Sequence, residues 1–431
     1  MIHFEKLKLI LPLLLLFINA CNFISSNCNV DKRKSENKKQ LSYNSPGLGS
    51  EKSGDTIANS TDGEIEMFFI RNMRKILVPQ NAEPYSNRYV LTGVLSKSYN
   101  LINELPKGFV RDGSVDYTAI IQRALNKYEN IVFPSFPLLI NDQGLRIPSD
   151  RSISFLKGSE IRLKPSLKGK YSILEISGSN NITLYNPVIR GDRFTHLGDS
   201  GEWGMGISIR GSKNVNIYNA KIFDCWGDGI YIGQAGEKIV SEKIMIKDAF
   251  LKKNRRDGIS VISVDGLTLD NVYAGFNNGT LPMCGINFET NNPKCEIKNV
   301  LVINPRTERN NGSGIQIGLS TLIGETHKNI DIKIINHIDL SSGNIAFKIS
   351  CYKRTQKMVN GSVSGTIDVL NPSWLKTSNN KPLVFKTDQP NLRLQIFKPK
   401  VTNAKGLRLN SLETNDILKK YSNQILKIYD F

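Results

Sequence analysis

The sequence predicts an all-β fold, a solenoid of parallel sheets, and three observations predict it. A four-residue motif of Gly, apolar, variable, apolar recurs as Gly206-Ile-Ser-Ile, Gly229-Ile-Tyr-Ile, Gly258-Ile-Ser-Val, Gly285-Ile-Asn-Phe and Gly314-Ile-Gln-Ile. Its Gly-to-Gly spacings are 23, 29, 27 and 29 residues. A second column with the same alternation runs through Asn181-Ile-Thr-Leu, Asn214-Val-Asn-Ile, Lys243-Ile-Met-Ile, Gly266-Leu-Thr-Leu and Asn329-Ile-Asp-Ile, at gaps of 33, 29, 23 and 63. Finally, Asp112 to Pro134 reads as a helix followed by a strand, placed ahead of both columns like a cap. Period-2 alternation turns the two apolar side chains of each copy to one face, and a strand at a fixed long period marks a solenoid.

The last gap of the second column covers two repeats, with Glu296-Ile-Lys-Asn as a weaker copy between them. A degenerate sixth copy of the first column is Asn344-Ile-Ala-Phe, 30 residues after Gly314. Two columns advancing together require at least two parallel sheets on one coil. Asn at the column heads suits side chains that stack at turns and bond to backbone groups. These residues resemble the single-stranded right-handed parallel β-helix of the pectate lyase type, the pectin lyase-like solenoid.

At the amino end, Lys6 and Lys8 lead into an apolar run that ends at Ile18. The run is short for a membrane span but has the basic start and small-residue exit of a signal peptide. Ile18-Asn19-Ala20-Cys21 resembles a bacterial lipobox, which implies lipidation at Cys21; the alternative is an ordinary secretory signal that contains Cys21. The expected organisation is a signal peptide over 1–20, a disordered tether over 21–63, rich in Ser, Asn, Lys and Gly, and a β-helix domain over 64–431. Within that domain, 105–165 carry the N-terminal cap and first turns, 166–350 the regular coil, and 351–431 looser turns and a C-terminal cap. The expected location is the cell envelope, at the outer membrane or cell surface, with the membrane reached through the lipid anchor only.

The 431 residues carry 57 Lys and Arg against 39 Asp and Glu, a formal charge of +18. That excess suits an acidic polysaccharide, a nucleic acid or an anionic surface, but it also fits a general habit of Lys, Asn and Ile usage. The cations are scattered and no nucleic-acid module is recognisable, so a nucleic-acid partner is not expected. Cys28, Cys225, Cys284, Cys295 and Cys351 show no CxxC or Cys/His ligand spacing, which argues against zinc.

In the cap, Asp116 is a good N-cap, followed by the apolar stripe Ile120, Ile121, Ala124 and Leu125. Ile131-Val-Phe133-Pro and Leu145-Arg-Ile147 read as strands. A solenoid needs such a segment, because its first turn otherwise exposes core and unpaired strand edges. Asp112-Gly, the helix and the strand ending in Phe133-Pro134 resemble the opening segment of pectate-lyase-type and rhamnogalacturonase-type domains. Two departures stand out: the pattern's paired acids are reduced to Asp116-Tyr117, and Ser135 stands where Gly follows Phe-Pro. At the far end, Leu412, Ile417, Leu418, Tyr421, Ile425 and Leu426 lie at near-helical spacing and predict a C-terminal helical cap.

Function is sought where regular geometry converges polar groups. The third motif positions, Ser208, Tyr231, Ser260, Asn287 and Gln316, should face outward, as should the fifth, Arg210, Gly233, Ile262, Glu289 and Gly318. Polar residues beside glycines suit a floor for a chain-like ligand, and equally a plain solvated sheet face. Before the Gly stand Met205, Asp228, Asp257, Cys284 and Ser313, so Asp228 and Asp257 occupy equivalent places in consecutive turns, about 4.8 Å apart. Paired carboxyls cannot both ionise cheaply. They suit a retaining glycosidase, or a lyase that holds Ca²⁺ against a uronate while an Arg takes the proton, or two Asp-Gly turns.

Arg256 is the candidate third member of the catalytic group, and Arg255 beside it could grip a sugar carboxylate bidentately. Glu289, displaced along its strand from Asp228, would serve a neighbouring subsite with Asn287 and Arg210. Trp203, Trp226 and Tyr231 are candidate stacking platforms, with a buried Trp as the alternative. His196 lies on an insertion before Trp203, where it overhangs a groove or is simply exposed. GDGIYIG, RRDGIS and GINFE resemble segments of bacterial and phage β-helix proteins that act on polysaccharides, although Asn287 replaces an acid of that pattern. The polygalacturonase signature and a pectate-lyase Asp cluster are absent, so activity does not follow from the fold. The expected function is an exported, lipid-anchored glycoside hydrolase or polysaccharide lyase. The alternatives are a non-catalytic carbohydrate-binding or structural β-helix lipoprotein and a uronate epimerase. No cofactor is expected, save Ca²⁺ for a lyase.

Overall fold

The structure is a computed structural model that describes residues 96–236, 240–343, 345–353, 360–376, 381–423 and 426–430. All of them belong to one compact unit, Gln80–Phe431. The lipobox, Cys21, the tether and Cys28 lie outside the described residues.

Among the described residues, three parallel sheets of 12, 10 and 9 strands wind as one coil, each complete turn giving one strand to each sheet in order. Lys213–Tyr218, Lys221–Phe223 and Ile230–Gly233 make up one such turn. The glycine-led motif forms the nine-stranded sheet, where Ile207, Ile230, Ile259, Ile286 and Ile315 pair in unbroken register. Each is fully buried, and burying such a side chain is worth about 2 kcal/mol relative to leaving it in water. The stack therefore holds every turn onto the next.

Two registers differ from the sequence reading. In the sixth turn Phe347 pairs with Ile315, so the Gly position is taken by Ala346, two residues beyond Asn344. In the second column Val300 pairs with Leu267 and Ile332, so the copies start at Asn299 and Asp331 rather than Glu296 and Asn329. The 10-stranded sheet is additional. Its strands are mostly three residues long, with one inward residue each, as in Val188–Arg190 and Phe250–Lys252.

Asparagine sets the corners. Asn186, Asn219, Asn304, Asn336 and Asn371 adopt left-handed backbone between the first and second sheets. Asn and Asp tolerate that region better than other side chains. Their amides then ladder from turn to turn: Asn219 donates to Asn186 at 2.8 Å and Asn336 to Asn304 at 2.8 Å. The column heads behave alike, with Asn214 donating to Asn181 at 2.9 Å.

Helix α1 (Thr118–Lys127) covers the first turns with Ile121, Ala124 and Leu125 buried. Asp116 accepts the Thr118 N–H at 2.9 Å and the Asn141 amide at 2.8 Å, tying the helix start to the coil. At the other end, α2 (Ser411–Lys419) is opened by a capping box between Asn410 and Glu413. The helical spacing does not continue to the terminus. Leu426–Tyr429 is a strand paired with Leu394 to Phe397, extending the first sheet. Among the described residues no helix is long and apolar enough to cross a membrane.

Candidate functional site

The outward face of the glycine-led sheet is not an open floor. Ser208, Tyr231, Ser260 and Asn287 are all buried. Tyr231 lies flat over Gly233, whose missing side chain leaves room for the ring: a Cβ there would sit 2.7 Å from Tyr231 Cε1. Arg210 packs over the same ring at 4.1 Å and donates to Ser208 Oγ at 2.9 Å. Tyr231 is therefore no free platform.

Asp228 and Asp257 are fully buried, and each holds the backbone of the next turn. The Asp257 N–H donates to Asp228 Oδ1 at 3.0 Å, and the Cys284 N–H donates to Asp257 Oδ1 at 2.6 Å. Asp257 Oδ2 accepts the Ser260 hydroxyl at 3.0 Å and the Asn287 amide at 3.1 Å. Both of its oxygens are satisfied. Asp228 Oδ2 is buried without a hydrogen-bond partner among the described residues. Burial raises both acids; the charge of Asp228 adds to the rise at Asp257, while Arg256 opposes it at each.

Arg256 is the hub. Its Nη1 lies 3.6 Å from Asp228 Oδ2, its Nε 3.7 Å from Glu202 Oε2 and its Nη2 3.7 Å from Glu289 Oε2. Nε also donates to the Leu281 carbonyl at 3.1 Å. The guanidinium thus joins Asp228 and Glu289, which strand spacing alone keeps apart. Asp228 is buried, whereas the Glu202 and Glu289 side chains are 31% and 45% exposed. Glu202 stands outside the repeat, and no pattern in the sequence singles it out.

His196 does not overhang a groove. Its side chain is fully buried, with Nδ1 bonded to Asp192 Oδ2 at 2.7 Å and the ring stacked on Trp226 at 3.8 Å. Asp192 also accepts the Tyr171 hydroxyl and the Ser166 N–H. Arg255 packs on the same Trp226 ring at 3.8 Å and donates to the Gly201 carbonyl at 2.8 Å. Trp226 is therefore enclosed, and Trp203, 47% exposed, is the platform that solvent reaches.

Among the described residues no group of three or more His, Cys, Asp and Glu is arranged to hold a metal ion. The cation on which Glu202, Asp228 and Glu289 converge is Arg256 itself. Chemically, the site offers two solvent-reaching carboxylates and one buried acid around a guanidinium.

Residues 205–333 match the family described as "Right handed beta helix region". The uncharacterized protein YclG of Bacillus subtilis (strain 168) is 30% identical over 220 residues, covering 44% of this chain and 38% of that protein. This chain therefore spans well under half that relative's length. Among solved structures, the pre-mature bacteriophage phi29 gene product 12 superposes with a TM-score of 0.52 at 15% identity, covering 71% of this chain and 47% of that one. The endo-xylogalacturonan hydrolase of Aspergillus tubingensis gives 0.51 at 13% identity, over 74% and 90%. At such identities the likeness is one of fold, and by its fold this chain is a right-handed parallel β-helix protein.

Proposed function

We propose that the chain is a polysaccharide-active protein that binds an acidic glycan along the glycine-led face and cleaves its glycosidic bonds. The observation that carries this reading is the Arg256 guanidinium within 3.7 Å of Glu202, Asp228 and Glu289. Glycoside hydrolysis uses two carboxyls, one that gives a proton to the leaving oxygen and one that either activates a water or attacks the sugar itself. Glu202 and Glu289 reach solvent and supply that pair. Asp228, buried behind Arg256, and Asp257, used as a backbone acceptor, position the group rather than react. Trp203 offers a ring for a sugar's C–H face. A glycan-cleaving neighbour of the same fold, the endo-xylogalacturonan hydrolase, fits this substrate class. The same reading takes Cys21 as lipidated and the protein as displayed on the cell envelope.

A second reading, a glycan-binding scaffold without turnover, is favoured by the complete burial of Asp228 and Asp257. Incubating the full chain with neutral and acidic polysaccharides, with and without calcium, separates the two. New reducing ends without ultraviolet absorbance, lost in Glu289→Gln, are expected of the hydrolase. Reducing ends with unsaturated-uronate absorbance mean a lyase instead. Retention on a polymer with no product from any of them overturns cleavage and leaves the scaffold.

A further inference from the structure

Two arginines beside this site, Arg193 and Arg255, come together at Gly279. Arg193 donates from Nη1 to the carbonyls of Lys253 at 2.6 Å and Asn254 at 3.2 Å, and its guanidinium lies 4.9 Å from the Phe194 ring centroid. Arg255 is held by Gly201 and Trp226 as described. Both side chains border Gly279: a Cβ there would sit 2.8 Å from Arg255 Cγ and 3.7 Å from Arg193 Nη2, so the bare glycine lets the two arginines pack close on either side of it. Neither forms a salt bridge among the described residues. The carboxylates nearest in charge are already engaged, Asp224 with Arg190 at 2.7 Å and Glu202 with Arg256 at 3.7 Å.

Holding two half-buried like charges together is unfavourable unless an anion joins them. Burial lowers both arginines; Asp224 partly offsets this at Arg193 and Glu202 at Arg255, while a neighbouring cation adds to it, Arg255 at Arg193 and Arg256 at Arg255. Each guanidinium is fixed by carbonyls and an aromatic ring while keeping N–H groups to spare, the arrangement that recognises an oxyanion through paired N–H donors. Phe194, 67% exposed, supplies apolar surface beside Arg193.

We propose that Arg193 and Arg255 form an oxyanion subsite that takes a carboxylate or sulfate of an acidic sugar. The subsite rests on the reading that a glycan lies on this face, but not on whether the glycan is cut. It selects acidic over neutral chains.

The test is binding by the full chain, followed by thermal unfolding and by affinity for oligogalacturonate, a sulfated galactan oligomer and a neutral xyloglucan oligomer. Sulfate should raise the unfolding midpoint above chloride at equal ionic strength. Arg193→Met should shrink that rise to sulfate's general salting-out effect and weaken the preferred acidic oligomer by about tenfold or more, the worth of one charge-assisted hydrogen bond or better. Arg193→Lys, which keeps the charge without the fork, should fall between and decides the matter if the Met variant does not fold. The neutral oligomer should be indifferent to both. The carboxylated and sulfated arms identify which oxyanion is read. Equal binding by wild type and variants, or no oxyanion effect in the wild type, overturns the subsite. Turnover plays no part in the readout, so a binder that never cleaves would overturn the hydrolase reading and leave this one standing.

Discussion

The Trp374 indole N–H donates to His337 Nδ1 at 3.1 Å, which places the imidazole proton on Nε2. Nε2–H then meets Thr307 Oγ1 at 2.8 Å, and the Thr307 hydroxyl donates to Asp339 Oδ1 at 2.7 Å. The Ser342 hydroxyl donates to the same oxygen at 2.6 Å. All five residues are buried, so this donor chain runs in one direction inside the coil.

That direction makes the later turns sensitive to acid. Burial lowers His337 from 6.5 to about 3, so its contribution is complete above 6.5 and is lost as pH falls toward 3. Protonation at Nδ1 would set N–H against the Trp374 N–H. Burial pushes Asp339 up to about 7, so its contribution is complete at low pH and is lost as pH rises through 7. Urea unfolding across this range should show a shallower acid limb in His337→Asn and a shallower neutral limb in Asp339→Asn. Acid limbs of equal slope in wild type and His337→Asn would refute the assignment.

The glycines of the repeat are expected to resist substitution because their Cβ positions are occupied. At Gly229 a Cβ would lie 2.7 Å from the Gly258 carbonyl oxygen, 2.7 Å from Leu251 Cδ2 and 2.8 Å from Asn254 Nδ2. Gly229→Ala should cost about 3 kcal/mol or prevent folding. At Gly178, in left-handed backbone with nothing within 4 Å, Ala should cost only about 1–2 kcal/mol of backbone strain. Urea midpoints compare the two directly.

The same packing explains what could be read from the sequence. A turn that needs Gly before two inward residues leaves a repeated mark, so Gly206 through Gly314 fix the nine-stranded sheet in advance. The mark shifts where Ala346 takes the glycine's place and Asn344 offers a false start. The three-residue strands leave no alternation to detect, since each has one inward side chain and in two of them that residue is Thr307 or Asp339. Asp228, Asp257, Arg256 and Glu289 were legible because they sit in or beside the repeat. Glu202 and Asp192 were not, because the coil brings them to Arg256 and His196 from outside it. Burial was the larger gap: alternation says which way Tyr231 and Asn287 point, not that Arg210 and neighbouring amides close over them.

Asp257 should matter first to folding. It accepts from Cys284, Ser260 and Asn287, and an orphaned buried donor costs about 1–3 kcal/mol. Asp257→Ala should therefore lose about 3 kcal/mol, and Asp257→Asn, which keeps one oxygen for the Cys284 N–H, about 1–2 kcal/mol. With its carboxyl pushed up, chiefly by burial and then by Asp228, wild type should also lose stability as rising pH ionises it, and Asp257→Asn should lose less over the same range. A loss from Ala no larger than that from Asn would show that the backbone contact is dispensable.

Arg256 should be more costly to remove alone than together with Asp228. With Arg256→Met, Asp228 Oδ2 keeps neither its cation nor any hydrogen bond among the described residues, and breaking a buried pair from one side costs about 3–5 kcal/mol. Asp228→Asn keeps an oxygen for the Asp257 N–H and removes the stranded charge. The double variant Asp228→Asn/Arg256→Met should therefore recover much of the single variant's loss, leaving a coupling of about 1–3 kcal/mol in a denaturant cycle. Cleavage should stay lost in the double variant, because Glu202 and Glu289 no longer share their guanidinium. Recovery of stability without recovery of cleavage would separate the two duties of Arg256. Additive losses would mean that the 3.6 Å contact carries little energy, and Asp228 would then be held by the Asp257 N–H alone.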